Sequence, residues 1–304
     1  MKRVTIRVPA TTSNLGPGFD ALGMALNLYN ELTLELHDAP GDPVIDIEGE
    51  GAQTLPRTRE NMTLRAVNAV LAGRASGRLA LRCVNRIPLA RGLGSSAAAV
   101  VAGVMAGNLI LGKATLTDAQ LIEYATTLEG HPDNAAPAIL GGLVVCAKSQ
   151  DTLHTLALKP HEALRAVVCI PDFELPTSKA RAVLPHTYLR QDAVDNVARA
   201  LILSSALEHG HWDRLPLAME DRFHQPYRAT LVKGLKAVIK AANGAGLGAC
   251  LSGAGPTMLA LGPAGPALEK AAAAMRGAFK EAGVESRTLV LKVSKGAHLV
   301  ERLA

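Results

Sequence analysis

The sequence predicts an α+β protein of two domains, and three features carry that prediction. The chain has 304 residues, about twice the usual domain length of roughly 100–150. Strand-like and helix-like segments are mixed along it rather than strictly alternating, which argues against a doubly wound parallel sheet. A polar segment near 148–163, with Lys148, Ser149, Gln150, Asp151 and Lys159-Pro160, divides it into residues 1–158 and 159–304.

Alternation and β-branched content place strands near 3–8, 31–36, 44–48, 79–85 and 142–147. Helical spacing of apolar residues places helices near 60–72, 95–111 and 117–129. The last opens on Thr117-Asp118-Ala119-Gln120, a capping-box spacing, and stops before Gly130, which suits a helix C-terminus. In the second half a strand near 164–170 precedes helices near 192–208, 213–221, 229–242 and 266–282. Further strands fall near 257–261 and 287–293.

Composition narrows the function classes. Hydrophobic residues at 48% and charged residues at 19% describe a soluble globular protein. Aromatics make up only 3%, so the cores are aliphatic and stacking on nucleobases is scarce. Lys and Arg number 32 against 27 acidic residues, an excess that suits an anionic substrate such as a nucleotide. These cations are scattered singly or in pairs, without the basic stripe that nucleic acid needs, so no nucleic-acid partner is expected.

Cys83, Cys146, Cys169 and Cys250 are far apart in apolar stretches, which predicts buried reduced thiols in a cytosolic (cytoplasmic) protein rather than zinc or disulfides. The N-terminus alternates like a strand and has no secretory h-region. Ala97 to Leu111 is nearly all apolar but short of the roughly 18–20 residues of a membrane span. Its small residues, with Gly103 and Gly107 four apart, suit a helix packed tightly in a core, and no membrane partner is expected.

The strongest chemical signal is Pro88-Leu89-Ala90-Arg91-Gly92-Leu93-Gly94-Ser95-Ser96-Ala97-Ala98, between a predicted strand and the apolar helix. Glycines let the backbone turn its amides inward, and a helix start adds free N–H groups and partial positive charge. Strand, glycine-rich loop and helix N-terminus together make a phosphate cradle, and two serines stand where a phosphate or its Mg²⁺ would lie. The plainer alternative is a turn and an N-cap. Gly92 to Ala97 also fits the GxGxxA dinucleotide fingerprint, but Ile87 to Arg91 separate it from the strand end. A near-Walker stretch, Gly107 to Ala114, lacks the Ser or Thr for Mg²⁺ and reads better as a helix end at Gly112.

With two further blocks this cradle resembles the GHMP kinases. Val8-Pro9-Ala10-Thr11-Thr12-Ser13-Asn14-Leu15-Gly16-Pro17-Gly18-Phe19-Asp20 stands before it, and Gly248-Ala249-Cys250-Leu251-Ser252-Gly253-Ala254-Gly255-Pro256-Thr257 near the other end, in the family's order. The resemblance spans almost the whole chain. Within it, Asn14 to Asp20 is most similar to the homoserine kinases. Glu129-Gly130-His131-Pro132-Asp133-Asn134 resembles their segment beside the acceptor hydroxyl. Thr177 to Arg181 and Asp221 to Arg228 resemble their two arginine-bearing segments. Ser13 departs from the family's usual Ala.

The resemblance implies a two-domain GHMP kinase fold, with a ribosomal S5 domain 2-like nucleotide-binding half and a ferredoxin-like C-terminal half. It implies transfer of phosphate from ATP, with Mg²⁺, to the hydroxyl of L-homoserine on the route to threonine, by a homodimer. ATP would lie in Pro88 to Ala98, with Asn61 an adenine contact or merely a helix cap. Mg²⁺ would be held by Glu123 and a cradle serine, Ser96 in preference to Ser95. Asn14, Asp20, His131, Asn134, Arg181 and Arg228 would bind the substrate. A guanidinium grips a carboxylate through paired charge-assisted bonds, and Asp20 and Asn14 offer acceptors to an ammonium. Each arginine also has the ordinary alternative of a packing ion pair. Asn134, Glu123, Ser96 and Arg181 would do the catalytic work without a strong general base, Asp133 bracing the loop. A mevalonate-type kinase, or a non-catalytic anion- or RNA-binding protein on the same fold, is the alternative.

Overall fold

The computed structural model describes residues 1–112, 115–150 and 152–303. Lys113 and Ala114 of the near-Walker stretch, and Asp151 of the polar segment, lie outside them. In chain order the first half gives β1 (Lys2–Asn14), β2 (Gly18–His37), β3 (Val44–Gly49), α1 (Met62–Leu71), β4 (Arg78–Asn85), α2 (Ser95–Ile110), α3 (Asp118–Glu129), α4 (Pro132–Leu140), β5 (Leu143–Ser149) and β6 (Thr152–Leu158). The second half gives β7 (Leu164–Pro171), α5 (Thr177–Ala182), α6 (Arg190–His209), α7 (Leu215–Ala218), α8 (Gln225–Arg228), α9 (Leu235–Gly244), β8 (Gly248–Leu251), β9 (Met258–Pro263), α10 (Pro266–Glu281), β10 (Ser286–Lys292) and β11 (His298–Leu303).

The first sheet runs β11-β1-β2-β4-β3, with β5 and β6 joined through β2. β1 and β2 form one long antiparallel hairpin whose turn is Leu15 to Pro17. The second sheet is antiparallel, in the order β10-β7-β9-β8. Its strands alternate apolar residues onto two covered faces. Val167, Cys169, Met258 and Ala260 pack with α9 and α10, whereas Ala166, Val168, Leu259 and Leu261 join the core of the first sheet. A sheet buried on both faces explains why these strands read as continuous apolar runs.

The mixed α+β architecture expected from the sequence is present, and the differences have local causes. The polar segment is occupied by β6, a hairpin partner of β5, and the chain leaves the first sheet after Leu158. The last strand, β11, returns to pair with β1, so the end of the chain completes the first sheet. α4, which the sequence reading missed, starts on Pro132, where an absent N–H costs nothing, and continues through Pro137. The helix expected at 229–242 starts at Leu235, because Gly234 in the left-handed region separates it from α8. All four cysteines are buried and unpaired, and burial pushes the Cys83 and Cys169 thiols up to about 11 and Cys146 to about 12. Among the described residues no helix is long and apolar enough to cross a membrane.

α2 is the buried axis of the first half, packed between α1 and the sheet. Close approach to α1 needs its glycines: a Cβ on Gly103 would stand 2.5 Å from Thr63 O and 2.7 Å from Ala66 Cβ. Overpacking such a contact costs about 1–3 kcal/mol. Gly103→Leu is therefore expected to lower Tm by several degrees, measured by calorimetry; an unchanged Tm would show that α1 yields freely.

Candidate active site

The cradle is built where β4 hands the chain to α2. Asn30 Oδ1 accepts from the backbone N–H groups of Arg86 (2.7 Å) and Ile87 (2.9 Å), fixing the strand exit. Ala90, Gly92 and Gly94 then take positive φ. Two of these positions admit no side chain: a Cβ on Gly92 would strike Ser252 O, and one on Gly94 would strike Thr11 Oγ1. The loop is thereby pressed against both other blocks. Ser95 is buried and donates to Ile87 O (3.2 Å), closing the loop, while Ser96 is exposed and donates to Glu129 Oε1 (2.6 Å).

Ser252 stitches the blocks together. Its hydroxyl is fully buried, donates to Gly92 O (2.6 Å) and shares a hydrogen bond with the Thr12 hydroxyl (2.8 Å). The neighbouring Gly253 N–H donates to Ser13 O (3.1 Å). Asn14, at φ 68, donates through Nδ2 to Gly253 O (2.9 Å) and accepts the Asp20 N–H (3.0 Å). Asn14 therefore pins the turn, and both ends of its amide are already engaged.

A polar cavity of about 100 Å³ opens beside the α2 N-terminus. Asn14, Asp20, Ser96, His131, Asn134, Arg181 and Arg228 all line it, so the structure brings together most of the residues singled out in the sequence. Arg181 grips Asp20 through two bonds (2.7 and 3.0 Å), so two expected substrate contacts engage each other. Asn134 accepts from the Thr11 hydroxyl (2.8 Å) and donates to Ser13 Oγ (3.0 Å) and Asp133 Oδ1 (3.3 Å). His131 Nδ1 lies 3.4 Å from Asp133 Oδ1, without hydrogen-bond geometry, and Asp133 raises its pKa. Asp133 thus accepts from Asn134 and lies beside His131.

Arg228 is 1% exposed, and among the described residues no carboxylate forms an ion pair with it. Its Nε donates to Ala180 O and its Nη1 to Gly253 O, both at 3.0 Å. Burial, then the like charge of Arg181, lowers its pKa to about 10, which still leaves a cation at neutral pH. Phe19 stands between the two guanidiniums, at 5.6 Å from Arg181 and 5.5 Å from Arg228. On the other side of the cradle an apolar cavity of about 510 Å³ is lined by Ile47, Leu55, Pro56, Met62, Cys83 and Leu89 among others. Ala90, Ser95 and Ser96 belong to both cavities.

Position bears on three expectations: it sets Glu123 apart from the cradle, and it shows what the Arg91 and Asn61 side chains hold. Glu123 is exposed on α3 and lines a separate groove with Tyr124 and Thr127, away from the cradle. Six residues along a helix turn the side chain by about 240°, so Glu129 at the end of α3 reaches Ser96 and Glu123 does not. Glu129 is half-buried, and desolvation raises its pKa against the Ser96 hydrogen bond. The Arg91 side chain does not reach for phosphate: it donates to Pro171 O, Leu89 O and Asp172 O, bracing the loop to the second domain. Asn61 caps α1 through Leu64 N–H (3.2 Å) and donates to Pro56 O (2.9 Å) while lining the apolar cavity. The sequence reading also gave no role to Glu129, Thr11 or Ser252, although all three stood inside the blocks it singled out.

Comparison with known proteins agrees with this geometry. The GHMP kinases N terminal domain matches residues 61–142, and the GHMP kinases C terminal domain matches residues 203–281. A homoserine kinase of Moorella thermoacetica is 48% identical over 283 residues, covering 92% of this chain and 94% of the relative. The crystal structure of homoserine kinase from Cytophaga hutchinsonii superposes with a TM-score of 0.89 at 31% identity, over 98% of this chain and 97% of that one. A more distant likeness is of fold alone: L. major mevalonate kinase gives a TM-score of 0.70 at 18% identity, over 95% of this chain and 96% of that one. The cradle, the two blocks knotted to it and the similarity along nearly the whole length place this chain in the homoserine kinase family of the GHMP kinases.

Proposed function

We infer that the protein transfers the γ-phosphoryl group of ATP to the side-chain hydroxyl of L-homoserine, forming O-phospho-L-homoserine for threonine biosynthesis in the cytosol. The observation that carries the acceptor assignment is Arg228, a buried cation without a carboxylate partner on the wall of a small polar cavity. A carboxylate-bearing ligand relieves that imbalance, since a buried charge is stable only when paired. Asp20, on the same wall, suits the ammonium and releases Arg181 to share the carboxylate. Mevalonate has the acid without the ammonium and leaves Asp20 beside a like charge.

Phosphoryl transfer asks mainly for alignment and charge neutralisation. The α2 N-terminus and the amides of Gly92 to Ala97 hold the phosphates, and the apolar cavity takes the adenine. Ser96 and Glu129 fit Mg²⁺, with oxygen donors already adjacent at 2.6 Å and a carboxylate whose pKa desolvation raises. When bound, the ion neutralises phosphate charge. Among the described residues no cluster of three metal-ligating side chains exists, so phosphate and water would complete its shell. Asn134, with Ser13 and Thr11 behind it, holds the acceptor hydroxyl. Asp133 is tied to its neighbours, so the hydroxyl loses its proton late, toward the phosphate, without a strong base.

We propose that the homodimer implied by the resemblance forms through α6. Val194, Val197, Ala198, Leu201 and Ile202 are exposed along α6, an apolar strip in addition to the buried Leu203, Ala206 and Leu207 on its inner side.

The function is tested by ADP release with ATP and Mg²⁺ on L-homoserine, mevalonate, galactose and L-serine. Turnover confined to homoserine is expected; turnover on mevalonate or galactose instead would overturn the acceptor assignment. Glu129→Gln should lower kcat by roughly a hundredfold, the scale of losing one charge-stabilising group, and Glu123→Gln by less than about twofold. The opposite ranking would return the metal role to Glu123. Leu201→Glu should convert a dimer to a monomer by light scattering with unchanged circular dichroism; a dimer that persists would move the interface elsewhere.

A further inference from the structure

Behind the cavity wall lies a buried cluster that the reaction, as described, does not use. Asp221 accepts the backbone N–H groups of Phe223 (2.8 Å), His224 (2.8 Å) and Gln225 (2.6 Å), and the Asn196 side chain (3.0 Å). This network fixes the turn that carries His224, whose ring is fully buried. The ring stacks on Phe19, with centroids 5.4 Å apart and planes at 26°. Its Nε2 lies 2.9 Å from Gly16 O, and its Nδ1 lies 3.1 Å from Arg228 Nη1.

The partners fix where the proton sits. A carbonyl oxygen only accepts, so Nε2 must carry the hydrogen; a guanidinium only donates, so Nδ1 must offer its lone pair. The ring is therefore neutral and locked in one tautomer, a state that burial also favours by lowering its pKa. One nitrogen holds the turn between β1 and β2, which carries Asn14 and Asp20; the other holds the arginine facing the cavity. A neutral ring does this without cancelling the Arg228 charge. A carboxylate in its place would neutralise that cation and compete with the ligand.

We propose that His224 is a positioning residue for acceptor recognition, holding the Asp20-bearing turn and the Arg228 guanidinium at a fixed separation so that they meet the two ends of one amino acid. This rests on the homoserine reading and adds to it a residue that never touches the substrate. His224 stands 208 residues from Gly16 and four from Arg228, so it spans the two blocks that supply the opposite charges.

Two amides separate the contributions of the ring nitrogens. In His224→Asn the terminal atoms overlie Nδ1, keeping an acceptor for Arg228 and losing the donor to Gly16. In His224→Gln they overlie Nε2, keeping the donor and losing the acceptor. His224→Gln should raise KM for L-homoserine by roughly tenfold to a hundredfold, the scale of one hydrogen bond to a charged group, and His224→Asn by roughly threefold to tenfold, the scale of a neutral one, each with KM for ATP within about twofold. His224→Phe, which keeps the stacking alone, should raise it at least as far as the worse of the two. An unchanged KM for homoserine, or parallel rises in both KM values with a lowered Tm, would overturn the proposal. ¹⁵N NMR of the wild-type imidazoles provides a test that needs no variant: a neutral Nε2–H tautomer is expected, and an Nδ1–H or doubly protonated ring would overturn it. Wild-type protein inactive on homoserine would defeat the functional reading. Active wild type with unaffected variants would defeat this inference alone.

Discussion

The site depends on the buried hydroxyl of Ser252. It joins Thr12 across 240 residues of sequence and Gly92 across 160, at 2.8 and 2.6 Å. Those distances allow no Cβ at Gly92, so the phosphate loop, the first hairpin and the β8–β9 turn share one point of contact. Loop amides aimed at an anion have value only when they are held still, because catalysis by alignment fails with small displacements. The knot supplies that rigidity from two domains at once. Arg91 extends it, since three bonds to backbone carbonyls fasten the loop to the end of β7 and the residues beyond.

The electrostatics of the cavity follow from the same convergence. Two arginines from separate segments approach one phenylalanine ring, yet only Arg181 has a carboxylate partner, Asp20. Arg228 is held by carbonyl oxygens and a neutral imidazole, acceptors that orient a guanidinium without discharging it. A low-dielectric wall makes such an unpaired cation attractive to an incoming anion, and it leaves the Asp20–Arg181 pair free to exchange partners. The two charges and the cradle thus stand side by side on one cavity wall, the arrangement on which the proposed acceptor assignment rests.

Much of this arrangement was legible in the chain. Cradle glycines, two serines and a following apolar helix are local features, set by φ preferences and helix-end chemistry. Those that the chain left open or put elsewhere depend on direction. Ser95 and Ser96 are equivalent in sequence, but a helix start turns one toward Ile87 O and the other toward Glu129. Glu123 and Glu129 share α3 and differ by its rotation. Asn61 at a helix start satisfies cap geometry first, and its place on the cavity wall follows from where α1 packs.

By itself, then, the sequence determined the α+β class, the aliphatic cores, the cradle and the identity of most side chains around the acceptor, because patterning and turn chemistry act within a few residues. Tertiary structure alone decided which carboxylate meets Ser96, that Asn14 is a pin, that Asp20 and Arg181 hold each other, and that His224 joins Gly16 to Arg228. Glu129 meets Ser96 from 33 residues away, and the other contacts join segments 161 to 239 residues apart. Their geometry is set by how two sheets pack and by the direction in which each helix presents its side chains, and no local pattern contains that information.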